Sequence, residues 1–245
     1  MDQGIYTAAA GAIAMEERLA IISNNLANVN TVGFKKDAVV FDDFQRALDT
    51  ARLAPGQHRT VPVDVIVGRQ YIDTVQGAFQ ETGNPLDAAI AGDGFFVVDT
   101  DNGLKYTRAG SFLVSPEGLL VTPQGHRVQG QGGDITVGTG NVTIDPGGMV
   151  MVNGNVADVL QIAAIEDEAL VREGNALFGV RQGYAPEVMY APEIRQGCIE
   201  SANVDPVVEM VGLITTQRAY EAFQRMIKSV DETYTQSMHN VGMTA

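Results

Sequence analysis

Residues 5–29 read IYTAAAGAIAMEERLAIISNNLANV, and this stretch decides how the chain begins to fold. Apolar residues recur in it at alternating spacings of three and four positions, which is an unbroken heptad pattern. The pattern predicts a helix over roughly residues 3–29, about 40 Å long at ~1.5 Å per residue. The predicted seam consists of Ile5, Ala8, Ala12, Met15, Leu19, Ile22, Leu26 and Val29.

A second long helix is predicted at the other end of the chain. Asp205 can cap a helix whose first position is Pro206, which is a favoured place for proline. An apolar stripe follows at helical spacing, with Thr216 in one slot. The stripe consists of Leu213, Tyr220, Phe223, Ile227, Val230, Tyr234, Met238 and Val241.

The middle of the chain differs in kind from the two ends. Alternating valines at Val61–Val67 predict a strand, and short apolar runs follow it between glycine-containing turns. Asn102-Gly103 and Asn153-Gly154 favour hairpins, because both residue types accept positive φ. We therefore expect a central, mostly antiparallel β domain.

The predicted architecture is α+β, with long N- and C-terminal helices that pair as a coiled coil. Pairing is the simplest way to bury two seams, although the ends of a free monomer could instead fold only against neighbouring molecules. The predicted division is a helical polymerisation domain at 1–33 and 201–245, a connector at 34–66 and a β-rich domain at 67–200. We expect the connector to be partly helical around Phe41–Leu48.

Composition and charge exclude several classes of partner. The chain has 16 basic and 30 acidic residues, a net charge of −14, so neither nucleic acid nor an anionic membrane surface is an expected partner. No apolar stretch approaches the ~18 residues that a membrane span requires, so we expect no direct membrane insertion. The segment before the small residues at Ala8–Ala14 carries Asp2 and no Lys or Arg, unlike a cleaved signal peptide.

We predict no catalytic, cofactor-binding or metal site. His58, His126 and His239 have no metal-ligand spacing with Cys198, the single cysteine, or with each other. Asp99–Gly103 resembles the start of a calcium loop, but Gly110 stands where the glutamate ligand belongs, so a hairpin turn is expected. A cell-wall hydrolase carried on a β domain is the competing class, and it would need paired carboxylates or a metal cluster.

Three blocks of sequence resemble flagellar rod and hook proteins. The first is SNNLANVNTVGFK at residues 23–35. The second is ETGNPLD at 81–87, with GDGFF at 92–96 and YTRAG at 106–110. The third is ESANVDPVVEM at 200–210, with QRAYE at 217–221. The start MDQGIY and the short length resemble the proximal rod type, whereas QRAY is shared with the distal rod type, which stays the alternative.

The resemblance implies a structural subunit of the bacterial flagellar basal-body rod that polymerises helically around the export channel and transmits torque from motor to hook. It implies export by the flagellar type III apparatus without a cleaved signal peptide, and a periplasmic position in the basal body. The implied partners are copies of the chain, other rod proteins, the export apparatus and the basal-body ring. The residues expected in inter-subunit packing are Ile5, Met15, Leu19, Ile22, Asn24, Asn25, Leu26, Asn28, Val29, Gly33, Phe34, Asn203, Pro206, Met210, Leu213, Tyr220, Phe223, Ile227 and Val230.

Overall fold

The structure is a computed structural model that describes residues 2–40, 69–174, 176–189 and 192–242. The chain divides into two compact units. Unit 1 comprises residues 1–26, 37–70 and 206–245, and unit 2 comprises residues 27–36 and 71–205. The domain limits predicted from the sequence stay a prediction. So do the strand at Val61–Val67 and the helical turn at Phe41–Leu48, which lie outside the described residues.

Unit 1 contains the two long helices, α1 (Asp2–Ala27) and α2 (Pro206–Gly242). Both lie where the apolar periodicity predicts them, and α2 begins at the predicted proline. Glu209 lies in the first turn of α2, where a carboxylate interacts favourably with the helix dipole. Strands β1 (Asp37–Val40) and β2 (Arg69–Ile72) form a two-stranded sheet.

The expected coiled-coil pairing of α1 and α2 is wrong. In the described residues the helices approach closely where Gly11 faces the Phe223 ring and where Ile22 lies beside Gly212, and no long pairing is shown. Of the predicted stripe of α2, the buried Thr216 is flanked by residues that are only half-buried, namely Leu213, Tyr220, Phe223, Ile227 and Val230. The physical reason lies in α1, whose central face consists largely of alanine and glycine, because such residues bury too little area to cover a 37-residue helix.

Unit 2 is built from short strands, as the turn spacing predicts, and every strand pairing recorded within it is antiparallel. The strands are β3 (Phe79–Glu81), β4 (Ala88–Ala91), β5 (Phe95–Thr100), β6 (Gly103–Thr107), β7 (Leu113–Val114), β8 (Leu120–Val121), β9 (Arg127–Gly130), β10 (Gly133–Asp134), β11 (Val142–Ile144), β12 (Met149–Val152), β13 (Asn155–Val159), β14 (Ile162–Ala164), β15 (Leu170–Arg172), β16 (Leu177–Val180), β17 (Glu187–Met189), β18 (Glu193–Gln196) and β19 (Cys198–Glu200), with a 3-10 turn at Asp167–Ala169.

The largest sheet of unit 2 has the order β15-β16-β6-β5-β9-β8-β7, with β10 on β9, and with β14 joining β5 to β17. Strands β11, β12 and β13 form a second sheet, and β18-β4 and β19-β3 are two separate pairs.

Strand β5 is the centre of unit 2, because it contributes side chains to two separate apolar cores. Phe96 and Val98 belong to one core, and Phe95 and Val97 belong to the other. Successive side chains of a strand point to opposite faces, so a continuous apolar run is what a strand covered on both faces requires. The run Phe95–Val98 therefore places β5 inside the unit.

Two predicted turns are confirmed. Asp101-Asn102 connects β5 and β6, with Thr100 opposite Gly103, so the stretch that resembled a calcium loop is a hairpin. Asn153 and Gly154 have φ values of 52° and 83° and connect β12 to β13. Positive φ at both turn residues belongs to the type I′ turn, which matches the natural twist of a hairpin.

Candidate functional site

The first candidate site is an exposed apolar face at the start of α2. Met210, Val211 and Ile214 are 47%, 57% and 51% exposed. Their spacing places them on one side of the helix, away from the half-buried stripe that begins at Leu213. Single exposed apolar residues are ordinary, whereas contiguous apolar patches are typical of interaction surfaces, and this group is therefore a candidate. We call these three residues the α2 apolar face.

The structure places the predicted packing residues in three environments. Ile22, Asn25, Gly33 and Phe34 are buried within the chain. Asn24, Pro206 and Met210 are exposed. The remainder are half-buried, namely Ile5, Met15, Leu19, Leu26, Asn28, Val29, Asn203, Leu213, Tyr220, Phe223, Ile227 and Val230. Their role between subunits stays a prediction.

Asn25 holds the backbone of β1 in unit 1. Its side-chain amide donates to the Asp37 carbonyl at 2.9 Å, and its side-chain oxygen accepts from the Asp37 N–H at 2.9 Å. The side chain is 2% exposed, so these bonds satisfy a buried amide at both ends.

Asn203 also forms side-chain hydrogen bonds to backbone groups, here within unit 2. Its side-chain oxygen accepts from the Lys36 N–H at 2.7 Å, and its amide donates to the carbonyls of Asp73 at 2.8 Å and Val75 at 3.0 Å. One side chain therefore connects the segment after α1, the segment after β2 and the segment before α2. The asparagine in the third sequence block thus has an identifiable structural role inside the subunit.

A buried charge cluster lies at the centre of the same region of unit 2. Lys35 Nζ lies 2.6 Å from Glu200 Oε1, and Arg108 Nη1 lies 3.3 Å from Glu200 Oε2. All three side chains are almost completely shielded from solvent. The Gly77 N–H donates to Glu200 Oε1 at 2.8 Å, and Lys35 Nζ donates to the Val75 carbonyl at 2.9 Å. We call Lys35, Arg108 and Glu200 the Glu200 cluster.

The Glu200 cluster combines one carboxylate with two cations. Burial lowers the pKa of Lys35, because an ammonium loses hydration, and the hydrogen bond and charge of Glu200 oppose that effect. Burial also lowers the pKa of Arg108, against the attraction of Glu200 and of Asp93. Removal of one partner from such a group leaves a buried charge uncompensated. Glu200 is thus the residue on which the cluster depends.

Gly33 and Phe34 pack directly against the elements that carry this cluster. Gly33 has a φ of 66° and donates from its N–H to the Glu200 carbonyl at 2.8 Å. A Cβ there would lie 2.2 Å from the backbone carbon of Arg108, so only glycine fits. The Phe34 ring lies 4.5 Å from the Arg172 guanidinium carbon, a cation–π contact.

The Glu200 cluster is absent from the residues predicted from the sequence. Lys35 and Glu200 are 165 positions apart, and no spacing rule connects them. One sequence signal was available, because each recognisable block contains one member of the cluster. Lys35 ends the first block, Arg108 lies in the second, and Glu200 begins the third. That signal shows which residues belong to recognisable blocks, but contact between them is decided by the folded chain.

Two further observations limit the chemistry of the described residues. In the described ranges, acidic, histidine and cysteine side chains nowhere gather in a group that could hold a metal ion. Among the described helices, neither is long and apolar enough to cross a membrane.

Family models match the chain in three places. "Flagella basal body rod protein" matches residues 5–35, "Flagellar hook protein FlgE/F/G D1 domain" matches residues 89–152, and "Flagellar basal body rod FlgEFG protein C-terminal" matches residues 195–238. The three ranges cover both terminal blocks and a large part of unit 2.

Full-length relatives agree with these matches. The flagellar basal-body rod protein FlgF of Caulobacter vibrioides is 32% identical over 99% of each chain. FlgF of Mesorhizobium japonicum is 30% identical over 99% of each chain. FlgG of Agrobacterium fabrum is 34% identical over 94% of this chain and 96% of its own. The distal-type alternative is therefore no better supported than the FlgF type, and the resemblance to rod proteins is confirmed. The chain belongs to the family of flagellar basal-body rod proteins, as a structural, non-enzymatic rod subunit of the FlgF type.

Proposed function

We propose that the α2 apolar face packs against neighbouring rod subunits and that this contact builds the rod helically around the export channel. The observation that carries the proposal is the exposure of Met210, Val211 and Ile214 on one side of a helix in unit 1. Each apolar side chain that passes from solvent into a contact contributes on the order of 1 kcal/mol or more. A repeated contact of one patch with a different patch continues as a helix instead of closing.

The α1–α2 contact supports this arrangement within each subunit. Gly11 lets the Phe223 ring approach the α1 backbone, since a Cβ there would lie 2.6 Å from the ring. Leu213, Tyr220 and Phe223 of the α2 stripe are half-buried, while the α2 apolar face lies on another side of the helix. Each helix pair thus has an internal contact and a separate outward surface, which is the geometry that torque transmission through packed subunits requires.

The assembly test places aspartate on the α2 apolar face. The double variant Val211→Asp/Ile214→Asp, expressed from the native locus, should abolish motility and leave basal bodies without an extended rod in electron micrographs. The matched control is Gln217→Asp/Gln224→Asp, which puts two charges on exposed polar positions of the same helix and should retain motile cells. Normal rods in the first variant would disprove the proposed contact.

The purified variant separates assembly from folding. Val211 and Ile214 are mostly solvent-exposed in the subunit, so their replacement should leave the thermal unfolding midpoint within a few degrees of the parent value. If the midpoint falls by much more, the two side chains stabilise the subunit itself and the loss of rods cannot be assigned to a contact between subunits.

The remaining partners belong to the same proposal. We place the chain in the periplasmic part of the basal body, delivered by the flagellar type III apparatus, with the basal-body ring as a further neighbour. The start of α1 supports delivery without cleavage after Ala14, because Ala14 and Ile22 are buried in the folded subunit and removal of residues 1–14 would truncate the helix. Intact-mass measurement of the chain from purified basal bodies tests this, since cleavage there would remove residues 1–14.

A further inference from the structure

The two helices of unit 1 run antiparallel, and their contacts mark the side on which they meet. Gly11 of α1 faces the Phe223 ring, and Gly212 of α2 lies beside Ile22. Each helix thus has two contact positions that are about three turns apart, so both positions lie on one line along that helix. We call this line the inner side of each helix and the opposite side its outer side.

The outer side of α1 carries an exposed stripe of its own. Ile13 stands two positions after Gly11, which places it about 200° around the helix from the inner side. Glu17 and Ala20 follow Ile13 at spacings of four and three, the spacing of a heptad seam. Ile13 is 58% exposed, Ala20 is exposed and Glu17 is half-buried. We call Ile13, Glu17 and Ala20 the α1 outer stripe.

The α2 apolar face lies on the outer side of α2 and continues onto a cation. Ile214 stands two positions after Gly212, so it too lies about 200° from the inner side. Val211, Ile214 and Arg218 are spaced by three and four positions, which is again a heptad seam. Arg218 is exposed, and among the described residues neither Arg218 nor Glu17 takes part in an ion pair.

The two outer surfaces match in size and charge when two copies stand side by side in the same orientation. The α2 helix of one copy then lies antiparallel to α1 of the next. Counted from the contact between Gly11 and Phe223, Ala20 is level with Ile214, and Glu17 is level with the turn that carries Arg218. A large apolar side chain therefore meets a small one, and a carboxylate meets a guanidinium. Ion pairs that flank an apolar seam set partner choice and orientation between helices.

Charge argues against the alternative in which Ile13 itself sits on the α2 apolar face. That arrangement needs a shift of about 15 Å along the helices. Glu17 would then lie at the start of α2, near Asp205 and Glu209, and away from Arg218. Like charges brought together in this way act against association. The unshifted arrangement pairs opposite charges instead.

We infer that the occupant of the α2 apolar face is the α1 outer stripe of a second copy of this chain. The pairing rests on the proposed function, in which the α2 apolar face contacts neighbouring subunits, and it names the surface contacted. One surface meets a different one, so the association is head-to-tail and continues from copy to copy. A contact between two α2 apolar faces would instead close at a dimer.

The test introduces cysteines into the full-length chain, with Cys198→Ser to remove the native thiol. In Ala20→Cys/Ile214→Cys, mild oxidation of purified basal bodies should yield disulfide-linked multimers of this chain on a non-reducing gel, whereas either single cysteine variant should stay monomeric. A disulfide within one chain is excluded, because the two positions lie on opposite outer sides of the helix pair and a disulfide needs Cα atoms within about 7 Å.

The outcomes separate this inference from the proposed function. Rods that assemble from the double cysteine variant without multimers would overturn the inference and leave the α2 apolar face as a contact with some other surface. Dimers from Ile214→Cys alone would also overturn it, because two α2 apolar faces would then meet. The proposed function itself fails only if Val211→Asp/Ile214→Asp still builds normal rods.

A charge swap gives a second readout that needs no cysteine and decides the matter if the cysteine variant builds no rods. Arg218→Glu should reduce swarming in soft agar by about twofold or more, because Glu17 of the neighbour then faces a carboxylate. Glu17→Arg/Arg218→Glu should restore swarming. The matched control is Glu17→Arg/Arg225→Glu, which makes the same change in net charge at an exposed position two turns further along α2 and should stay impaired. Equal recovery in both double variants, or recovery in neither, would overturn the pairing.

Discussion

Unit 1 and unit 2 differ in how much of their large apolar side chains they expose to solvent. Unit 2 encloses its large side chains, since Phe96, Leu120 and Ile162 are fully buried. Unit 1 leaves Val211 and Ile214 more than half exposed. The difference teaches that unit 2 is stable through its own core, whereas unit 1 retains apolar surface that an assembled rod can use.

The largest effect is expected from the Glu200 cluster. Glu200→Gln leaves Lys35 and Arg108 buried without a counter-charge, so the free energy of unfolding of the isolated subunit should fall by about 3–5 kcal/mol. Urea denaturation measures it. Glu193→Gln is the control, because its pairing with Arg195 at 3.4 Å is largely exposed and should contribute little. Equal stability of the two variants would show that the Glu200 cluster does not stabilise the subunit.

A buried leucine of unit 2 and an exposed isoleucine of unit 1 should respond differently to truncation. Leu120→Ala should destabilise the subunit by about 2–5 kcal/mol, because it opens a cavity in a closed core. Ile214→Ala should change subunit stability by less than about 0.5 kcal/mol. Thermal and urea unfolding of both variants would measure the contrast. A large loss in Ile214→Ala would mean that unit 1 depends on the α2 apolar face even before assembly.

Gly33 and Gly83 have nearly the same backbone conformation and very different surroundings. Their φ values are 66° and 70°, so alanine carries a similar conformational cost at each. At Gly33 the new Cβ would meet the Arg108 backbone at 2.2 Å, whereas at Gly83 nothing lies within 4 Å. Gly33→Ala should therefore be less stable than Gly83→Ala by about 2 kcal/mol, measured by urea unfolding. Similar values would argue that the segment at Gly33 can move away without loss.

The smallest of the four effects concerns Asn25 in unit 1. Asn25→Ala removes both bonds to the Asp37 backbone and should cost about 1–2 kcal/mol in urea unfolding. Amide exchange at Asp37 should become faster, because its N–H loses the acceptor. Ser23→Ala, at an exposed position of the same helix, serves as the control and should leave the exchange rate unchanged. Unchanged protection of Asp37 in Asn25→Ala would show that β1 is held by other contacts.

Local patterns were sufficient for some elements and insufficient for others. The 3.6-residue periodicity and Pro206 located α2, and Asn153-Gly154 located a hairpin, because each depends on residues close in sequence. The coiled coil was predicted wrongly, because a seam shows that a helix has an apolar face and does not show what covers it. The internal tasks of Gly33 and Phe34 were missed for the same reason, since their contacts with Arg108 and Arg172 join distant segments.

The sequence by itself determined the two long helices, the turn-rich antiparallel middle and membership in the rod family, because periodicity, turn residues and recognisable blocks are all local properties of the chain. Only the tertiary structure decided that Lys35, Arg108 and Glu200 meet in one buried cluster, that Asn25 holds the Asp37 backbone, and that Met210, Val211 and Ile214 stay exposed. Burial and ion pairing depend on which distant segments come together, and that information appears only when the whole chain has folded.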